Sequence, residues 1–236
     1  LLQGYFEMLG IPHSSCSAFV TTVAFDKYSC KNYLRGLDYV KLAPDAFIRV
    51  GQDVDAFSEK TVATLGLPLF VKPTNGGSSF GITKVTRAED LPSAIKYAFK
   101  EGETVLVEKG IPSEHELTCA VYNDGTGIRA LPIIEIISET GWFDYDAKYN
   151  GLSREVCPAE VPDALALQIQ DISRRIYRHL GCKGLVRMDY LTARDGIYFL
   201  EVNIIPGMTN ASLVPKMVRA AGLSFTDFLT QIIENA

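Results

Sequence analysis

Charged residues set into otherwise apolar strands constrain this chain most. Residues 184–191 and 197–203 each read as a β-strand, joined by the turn Thr192-Ala193-Arg194-Asp195-Gly196, so the two form a hairpin. Strand side chains alternate between faces, which puts Arg187 and Asp189 on one side of the first strand and Glu201 and Asn203 on one side of the second. The turn sets Asp189 roughly opposite Glu201. One arginine, two carboxylates and a carboxamide converge on one patch of sheet. Hard oxygen donors of this kind suit Mg²⁺, which is typically held by one or two carboxylates together with substrate phosphates. A structural salt-bridge network is the competing reading, but Asn203 adds nothing to one and is a poor strand former. The turn Pro206-Gly207-Met208-Thr209 and a helix opening at Ser212 follow directly, so backbone N–H groups can face the same patch.

The rest of the chain alternates irregularly between helix and strand. Apolar spacing predicts helices over 2–9, about 21–34, 53–65, 91–100 and 163–180, with Gly36, Gly66 and Gly181 as stops. A β-rich run covers 39–50, and strands dominate 104–137. Residues 69–72 and 82–85 read as a hairpin around the loop Pro73-Thr74-Asn75-Gly76-Gly77-Ser78-Ser79-Phe80-Gly81. Residues 138–160 mix aromatic, acidic and glycine residues without a period, as a functional surface loop does. Without a steady βαβ alternation, the fold class is α+β.

Such a glycine-rich turn lets backbone N–H groups cradle phosphate oxygens, though it fits neither the P-loop nor the dinucleotide fingerprint. Lys72 ends the apolar run Leu69-Phe70-Val71, where its charged head needs a partner. Lys27 and Lys31, four apart on one helix face, read in isolation as a solvated face. His13, His115 and His179 show no ligand spacing and read as structural. The 23 basic and 28 acidic residues give a net charge of −5 without a basic run, which argues against nucleic acid as the main partner. No apolar run approaches the ~18 residues of a membrane span. Five scattered cysteines without a Cys-x-x-Cys pair argue against a disulfide framework or a zinc site, so a reducing compartment, the cytoplasm, is expected.

A set of motifs in fixed order resembles the D-alanine:D-alanine ligases: Phe70-Val71-Lys72-Pro73, Gly77-Ser78-Ser79-Phe80-Gly81, Val107-Glu108-Lys109, Phe143-Asp144-Tyr145-Asp146-Ala147-Lys148-Tyr149, Gly181-Cys182-Lys183-Gly184, Arg187-Met188-Asp189, Glu201-Val202-Asn203 and Pro206-Gly207-Met208-Thr209. The resemblance covers nearly the whole chain and implies the ATP-grasp fold, in which two α/β subdomains grip ATP between antiparallel sheets. It implies a remnant of an N-terminal substrate-binding domain at 1–19, a central subdomain at 20–115, and a C-terminal subdomain at 116–236 with a lid at 138–160. Members of the family begin with an additional domain whose acidic loop grips the first D-alanine, and the glutamate that pairs there with Tyr149 and Ser78 has no counterpart in these residues.

The activity implied is an ATP-dependent carboxylate–amine ligation of two D-alanines through an acyl phosphate, for peptidoglycan precursors. A nucleotide-binding fragment without turnover and a D-alanine:D-lactate ligase are the alternatives. By the same resemblance Lys31, Lys72 and the loop Gly77-Ser78-Ser79 would hold the ATP phosphates. Glu108, Lys109, Ile111 and Leu200 would frame the adenine, and Glu116 would take the ribose. Asp189, Glu201 and Asn203 would bind two Mg²⁺ (or Mn²⁺) ions. Lys148 would reach the γ-phosphate, and Arg187 with the Gly207 N–H would stabilise the oxyanion. Ser78 and Tyr149 would organise the amino-acid site, and Ser212 and Leu213 would receive the second carboxylate. ATP and D-alanine are the implied partners, with a homodimer as the candidate assembly. Ile204-Ile205 stand where the family usually has small or hydroxylated residues, a change expected to tune the site.

Overall fold

A computed structural model describes residues 2–77, 80–138 and 153–236. Three short helices come first: α1 (Leu2–Met8), α2 (Ala18–Phe25) and α3 (Lys27–Leu34). The single helix expected over 21–34 is therefore two. Asp26 breaks it: its backbone leaves the helical region at ψ 110° and bridges Asn75, while its carboxylate caps α3 by accepting from the Ser29 N–H at 2.7 Å. The break depends on a residue far along the chain, and local periodicity carries no sign of it.

Two sheets follow. Strands β2 (Asp45–Arg49), β3 (Leu69–Pro73), β4 (Thr83–Val85) and β5 (Thr104–Lys109) form a four-stranded antiparallel sheet in the order β2-β5-β3-β4. Helices α4 (Val54–Leu65) and α5 (Leu91–Ala98) cover one of its faces, burying Ile48, Leu69, Val71, Val105 and Val107 with Leu91 and Ile95. The alternation then turns Phe70, Lys72, Leu106 and Glu108 to the opposite face.

The larger sheet is seven-stranded. Its strands are β1 (Lys41–Leu42), β6 (His115–Asn123), β7 (Ile128–Ala130), β8 (Ile134–Ser138), β9 (Ser153–Val156), β10 (Leu185–Ala193) and β11 (Gly196–Asn203), ordered β1-β11-β10-β6-β8-β9 with β7 on β6. Every pairing is antiparallel except β1 on β11, which is parallel. Within the stretch expected to be a lid loop, 153–156 pairs with β8 as β9. Residues 139–152 of the expected lid lie outside the described residues.

Helix α6 (Asp163–Leu180) runs over the span its period predicts and ends at Gly181 in the left-handed region. It packs with α2 and α3 on one face of the large sheet, against Leu117, Cys119, Val186, Met188, Tyr190 and Phe199. Helices α7 (Leu213–Ala220) and α8 (Phe225–Glu234) cover part of the other face through Val214, Met217, Val218, Phe228 and Ile232. Residues of the expected 20–115 unit serve both cores: Val20, Cys30, Leu34 and Val40 join the large sheet, and the small sheet begins at Asp45. No helix among the described residues is long and apolar enough to cross a membrane.

The hairpin that carries the polar residues closes more tightly than expected. The ladder runs to Ala193↔Gly196, so the turn is Arg194-Asp195 rather than five residues, as the right-handed strand twist favours. Asp189 does stand opposite Glu201, because the register shifts beyond Tyr190↔Phe199. Leu200 is the extra residue. Up to Phe199 the core-facing positions are Ile197 and Phe199; after the bulge the core-facing position is Val202, so Glu201 and Asn203 fall on the same open side as Leu200. An unbroken alternation would have pointed Glu201 into the core.

Gly184 fixes where the first loop lies. Its φ is +62°, and a Cβ there would sit 1.7 Å from the Ser14 carbonyl oxygen, so only glycine lets the two backbones meet. Leu34, 1% exposed, anchors α3 in the large core. Leu34→Ala is expected to destabilise the protein by about 2–5 kcal/mol. Urea unfolding would show this as a lower midpoint at unchanged slope.

Candidate active site

The outward face of the small sheet is charged because α3 presses a lysine onto it. Lys31 is 1% exposed, and its Nζ donates to the Ala43 carbonyl at 2.8 Å, pairs with Asp45 at 2.7 Å, and hydrogen-bonds Glu108 Oε1. Lys72, cross-strand to Leu106, reaches the other oxygen of Glu108 at 2.5 Å. One buried carboxylate thus carries two ammonium groups. Burial alone would raise the Glu108 pKa, but Lys72 and then Lys31 outweigh it and hold the carboxyl down at about 2, from an ordinary 4.5. Burial would likewise lower the Lys72 pKa, and Glu108, with Glu201 and Glu116 across the cleft, raises it instead. Lys72 stays protonated.

Opposite this face, on the large sheet, lies the hairpin patch. Arg187 is buried and grips Asp189 with a fork, Nε to Oδ1 at 2.9 Å and Nη2 to Oδ2 at 2.8 Å. The Thr118 hydroxyl on β6 donates to Asp189 Oδ1 at 2.5 Å. Burial would pull the Arg187 pKa down, and Asp189 raises it above its usual value. Glu201 is 44% exposed at its side chain, and Lys27 Nζ lies 3.5 Å from its Oε2. Asn203 Oδ1 accepts from the Ile205 N–H at 3.1 Å, which fixes the carboxamide.

The structure brings Asp189, Glu201 and Asn203 together as expected. Among the described residues no group of three or more His, Cys, Asp or Glu forms a metal-sized cluster. Two carboxylates and one amide oxygen fit a hard divalent cation completed by substrate phosphates, and fit poorly with a dedicated protein cage or with zinc. At the end of β11, Ser212 turns its hydroxyl into the 206–209 turn, accepting from the Thr209 N–H at 3.1 Å, instead of capping α7. A Cβ on Gly207 would sit 2.8 Å from the Ser212 Oγ, so the turn passes close to the helix start.

Other expected site residues are placed less directly. The Lys109 ammonium donates to the Leu67 carbonyl at 2.8 Å and the Gly110 N–H to the Pro68 carbonyl at 2.8 Å, which pins the backbone leading to Ile111. Glu116 stands on β6 cross-strand to Leu191 and Ile136, and Leu200 is the bulge residue. The Gly77 carbonyl accepts from the Phe80 N–H at 3.2 Å. Ser78, Ser79, Lys148 and Tyr149 lie outside the described residues.

Three further residues join the site: Asp45 and Thr118, which buttress Lys31 and Asp189, and Lys27. The solvated reading of Lys27 and Lys31 is overturned, since their side chains are only 12% and 1% exposed. Cys30 and Leu34, the apolar neighbours of Lys31 on α3, were the available signal that this helix is buried. The three histidines have local partners, His13 on Ser15, His115 on Glu135 and His179 on the Tyr33 carbonyl, as structural histidines do.

The chain is similar to known proteins in sequence and in fold. The family model for the D-ala D-ala ligase C-terminus matches residues 34–234. A D-alanine–D-alanine ligase from Phocaeicola vulgatus is 43% identical over 236 residues, all of this chain and 72% of that protein. One from Azobacteroides pseudotrichonymphae is 45% identical over 237 residues, with coverage of 100% and 72%. Among solved structures, the VanG D-Ala:D-Ser ligase from Enterococcus faecalis superposes with a TM-score of 0.88 at 35% identity, over 99% of this chain and 67% of that one. The D-alanyl-alanine synthetase A from Vibrio cholerae gives 0.87 at 30%, over 99% and 71%.

The depressed Glu108 pKa links stability to acid. A folded pKa of about 2 against an ordinary 4.5 means the contribution is fully present above about pH 4.5 and is lost as pH falls toward about 2. It amounts to about 3 kcal/mol for the cluster as a whole. Glu108→Gln should lower stability by that order at pH 7. Its deficit against wild type should shrink below pH 4.5, as followed by urea titrations across pH.

Proposed function

We propose that the two sheets of this chain, which belongs to the D-alanine–D-alanine ligase family, grip ATP and join two D-alanines into the dipeptide used for peptidoglycan. The observation that carries the reading is the facing of unlike charge across one cleft. Lys72 projects from the small sheet, and Glu201 and Glu116 on the large sheet act on its charge. A nucleotide lying between them meets a cation on one wall and oxygen donors on the other.

The division of labour follows from the geometry. A carboxylate is a poor electrophile, so the γ-phosphoryl of ATP is first transferred to the carboxylate of one D-alanine, leaving ADP, and the amine of the second then attacks the acyl carbon, expelling inorganic phosphate and losing a proton as the amide forms. Phosphoryl transfer needs position and charge neutralisation more than covalent help. Lys72 supplies one fixed positive charge for the phosphates, kept protonated by Glu108. Lys31 is placed otherwise than expected: its three donors already meet Ala43, Asp45 and Glu108, so it orients Glu108, and through it Lys72, rather than a phosphate. Asp189, Glu201 and Asn203 would hold two Mg²⁺ (or Mn²⁺) ions, which neutralise charge on the phosphate oxygens when bound.

At the other end of the patch, Arg187 spends two N–H groups on Asp189 and keeps the rest of its fork for the tetrahedral oxyanion. The Gly207 N–H is the second donor we assign, and the Ser212 and Leu213 end of α7 receives the carboxylate of the second substrate. The backbone from Glu108 to Ile111, with Leu200, frames the adenine, and Glu116 the ribose. Ser78, Ser79, Lys148 and Tyr149 complete the phosphate and amino-acid sites on this reading.

Phosphate release from ATP and Mg²⁺, with and without D-alanine, tests the proposal. Release that depends on D-alanine and yields the dipeptide is expected. ATP hydrolysis indifferent to D-alanine, or product formed only with D-lactate or D-serine as second substrate, would refute it. In the active protein Arg187→Lys keeps the charge but loses the planar fork, so kcat should fall by about 10²–10³, the range for losing one oxyanion donor. A raised KM at unchanged kcat would reduce Arg187 to substrate binding.

A further inference from the structure

Two cysteines that the ligation chemistry leaves unused meet at one junction of the fold. Cys16, in the loop before α2, is fully buried; its thiol donates to the Lys183 carbonyl at 3.3 Å, and its Sγ accepts from the Lys183 N–H at 3.4 Å. Lys183 follows Cys182 in the turn between α6 and β10. The Cys16 sulfur therefore sits one peptide bond from Cys182, whose own thiol hydrogen-bonds it. Both thiols are free.

The backbone holds the pair from both sides. The Cys182 N–H donates to the Tyr177 carbonyl at 2.9 Å, and the Tyr177 hydroxyl donates to the Gly184 carbonyl at 2.8 Å. Gly184 in turn admits the Ser14 carbonyl, and the Thr21 hydroxyl donates to the Cys16 carbonyl at 3.3 Å. Cys182 is only partly buried, and a cavity of about 490 Å³ is lined by chain neighbours of both cysteines, Pro12, His13 and Ser17 on one side and Gly181 and Lys183 on the other. A small oxidant has a route to the outer thiol.

The two sulfurs are unequal. The hydrogen bond from Cys182, helped by the Lys183 N–H, pulls the Cys16 pKa below the ordinary 9.0 although burial works against it. Donating that bond, together with burial, pushes the Cys182 pKa up. Cys16 is thus the base of the pair, and Cys182 keeps the shared proton.

We propose that Cys16 and Cys182 are a peroxide-responsive dithiol pair that closes to a disulfide and so keeps Cys182 from irreversible oxidation. Cys16 takes the Cys182 proton as the Cys182 sulfur attacks one oxygen of the peroxide; the O–O bond breaks, hydroxide leaves, and Cys182 becomes a sulfenic acid. The Cys16 sulfur then displaces that oxygen and forms the S–S bond. In all, two thiols lose two electrons and two protons, and the peroxide is reduced to two waters. The bond fastens the loop leading into α2 and α3, and so to Lys31, to the strand that carries Arg187 and Asp189. None of this depends on what the chain ligates.

The test treats the folded full-length protein with hydrogen peroxide and maps its peptides by mass spectrometry without reduction. A linked Cys16–Cys182 peptide about 2 Da lighter than the two free peptides together, and reopened by dithiothreitol, is expected. Because the bond closes a long loop, the linked form should unfold at least about 5 °C higher than the reduced one. In Cys16→Ser the resolving thiol is gone, so Cys182 should accumulate the sulfinic acid, about 32 Da heavier, several-fold faster than in wild type.

A link from Cys182 to Cys30 instead, or both thiols recovered free while the partly buried Cys157 is oxidised, would overturn the proposal. So would a linked form less stable than the reduced one, or over-oxidation of Cys182 as fast in wild type as in Cys16→Ser. The first three of these are read from wild type alone, so the proposal can fail even where the variant does not fold.

Discussion

The cleft depends on one buried carboxylate. Glu108 is held by Lys31 from α3 and Lys72 from β3, with Asp45 sharing Lys31, and this cluster joins a helix rooted in the large sheet to the face of the small one. Desolvating four charged groups is expensive, and replacing such a buried set by apolar groups of the same shape is often neutral for stability. Apolar packing could not do two things the cluster does. It aims Lys72 at the opposite wall, and it keeps Lys72 charged although burial works against that charge. The stiffness of α3 matters for the same reason. Cys30 and Leu34 tie it to the large core on one side while Lys31 ties it to the small sheet on the other, so the spacing of the two walls is set by one helix.

The opposite wall depends on an irregularity of similar size. Strand alternation places Arg187 and Asp189 outward without help, but Glu201 and Asn203 share their face only because Leu200 is an extra residue. A bulge of this kind re-aims side chains at the expense of local ladder bonds. The cross-strand neighbour Thr118 then fixes Asp189 and the Ile205 N–H fixes Asn203, so these two oxygen donors are oriented before any ligand arrives.

Much of this was legible in the residues, and what was not has a common cause. Helix α6 could be read from its period and Gly181, and the shared face of Arg187 and Asp189 from alternation, because those signals are local. The break at Asp26 was hidden, since Phe25-Asp26-Lys27 is compatible with a helix until Asn75 pairs with it. The burial of Lys31 was hidden likewise, because its partners Asp45 and Glu108 come from separate strands. Strand β9 lacks a period and takes its order from β8. The facing of Asp189 and Glu201 was read correctly from a turn that is in fact shorter, and the bulge at Leu200 compensated for the difference.

The two halves of the large sheet's outer face also have different dielectric surroundings. Toward α7 and α8 it is apolar, with Ala120, Ile134 and Ile136 buried beside Val214 and Met217, and toward the cleft it carries Asp189, Glu201 and Asn203. Arg187 sits at the border, cross-strand to Ala120 on one side and to Asn203 on the other. A guanidinium there has one flank in a low-dielectric wall, where its interaction with a developing oxyanion is stronger than in water. Its charge is nonetheless secured by the fork to Asp189. The carboxylate that binds Arg187 is also one that would face a metal ion, so on the proposed assignment charge arriving at Asp189 would be felt at once by the group proposed to hold the oxyanion. Under that assignment the phosphoryl-transfer and amine-attack ends of the site would be coupled through a single carboxylate, and a substitution at Asp189 would disturb both.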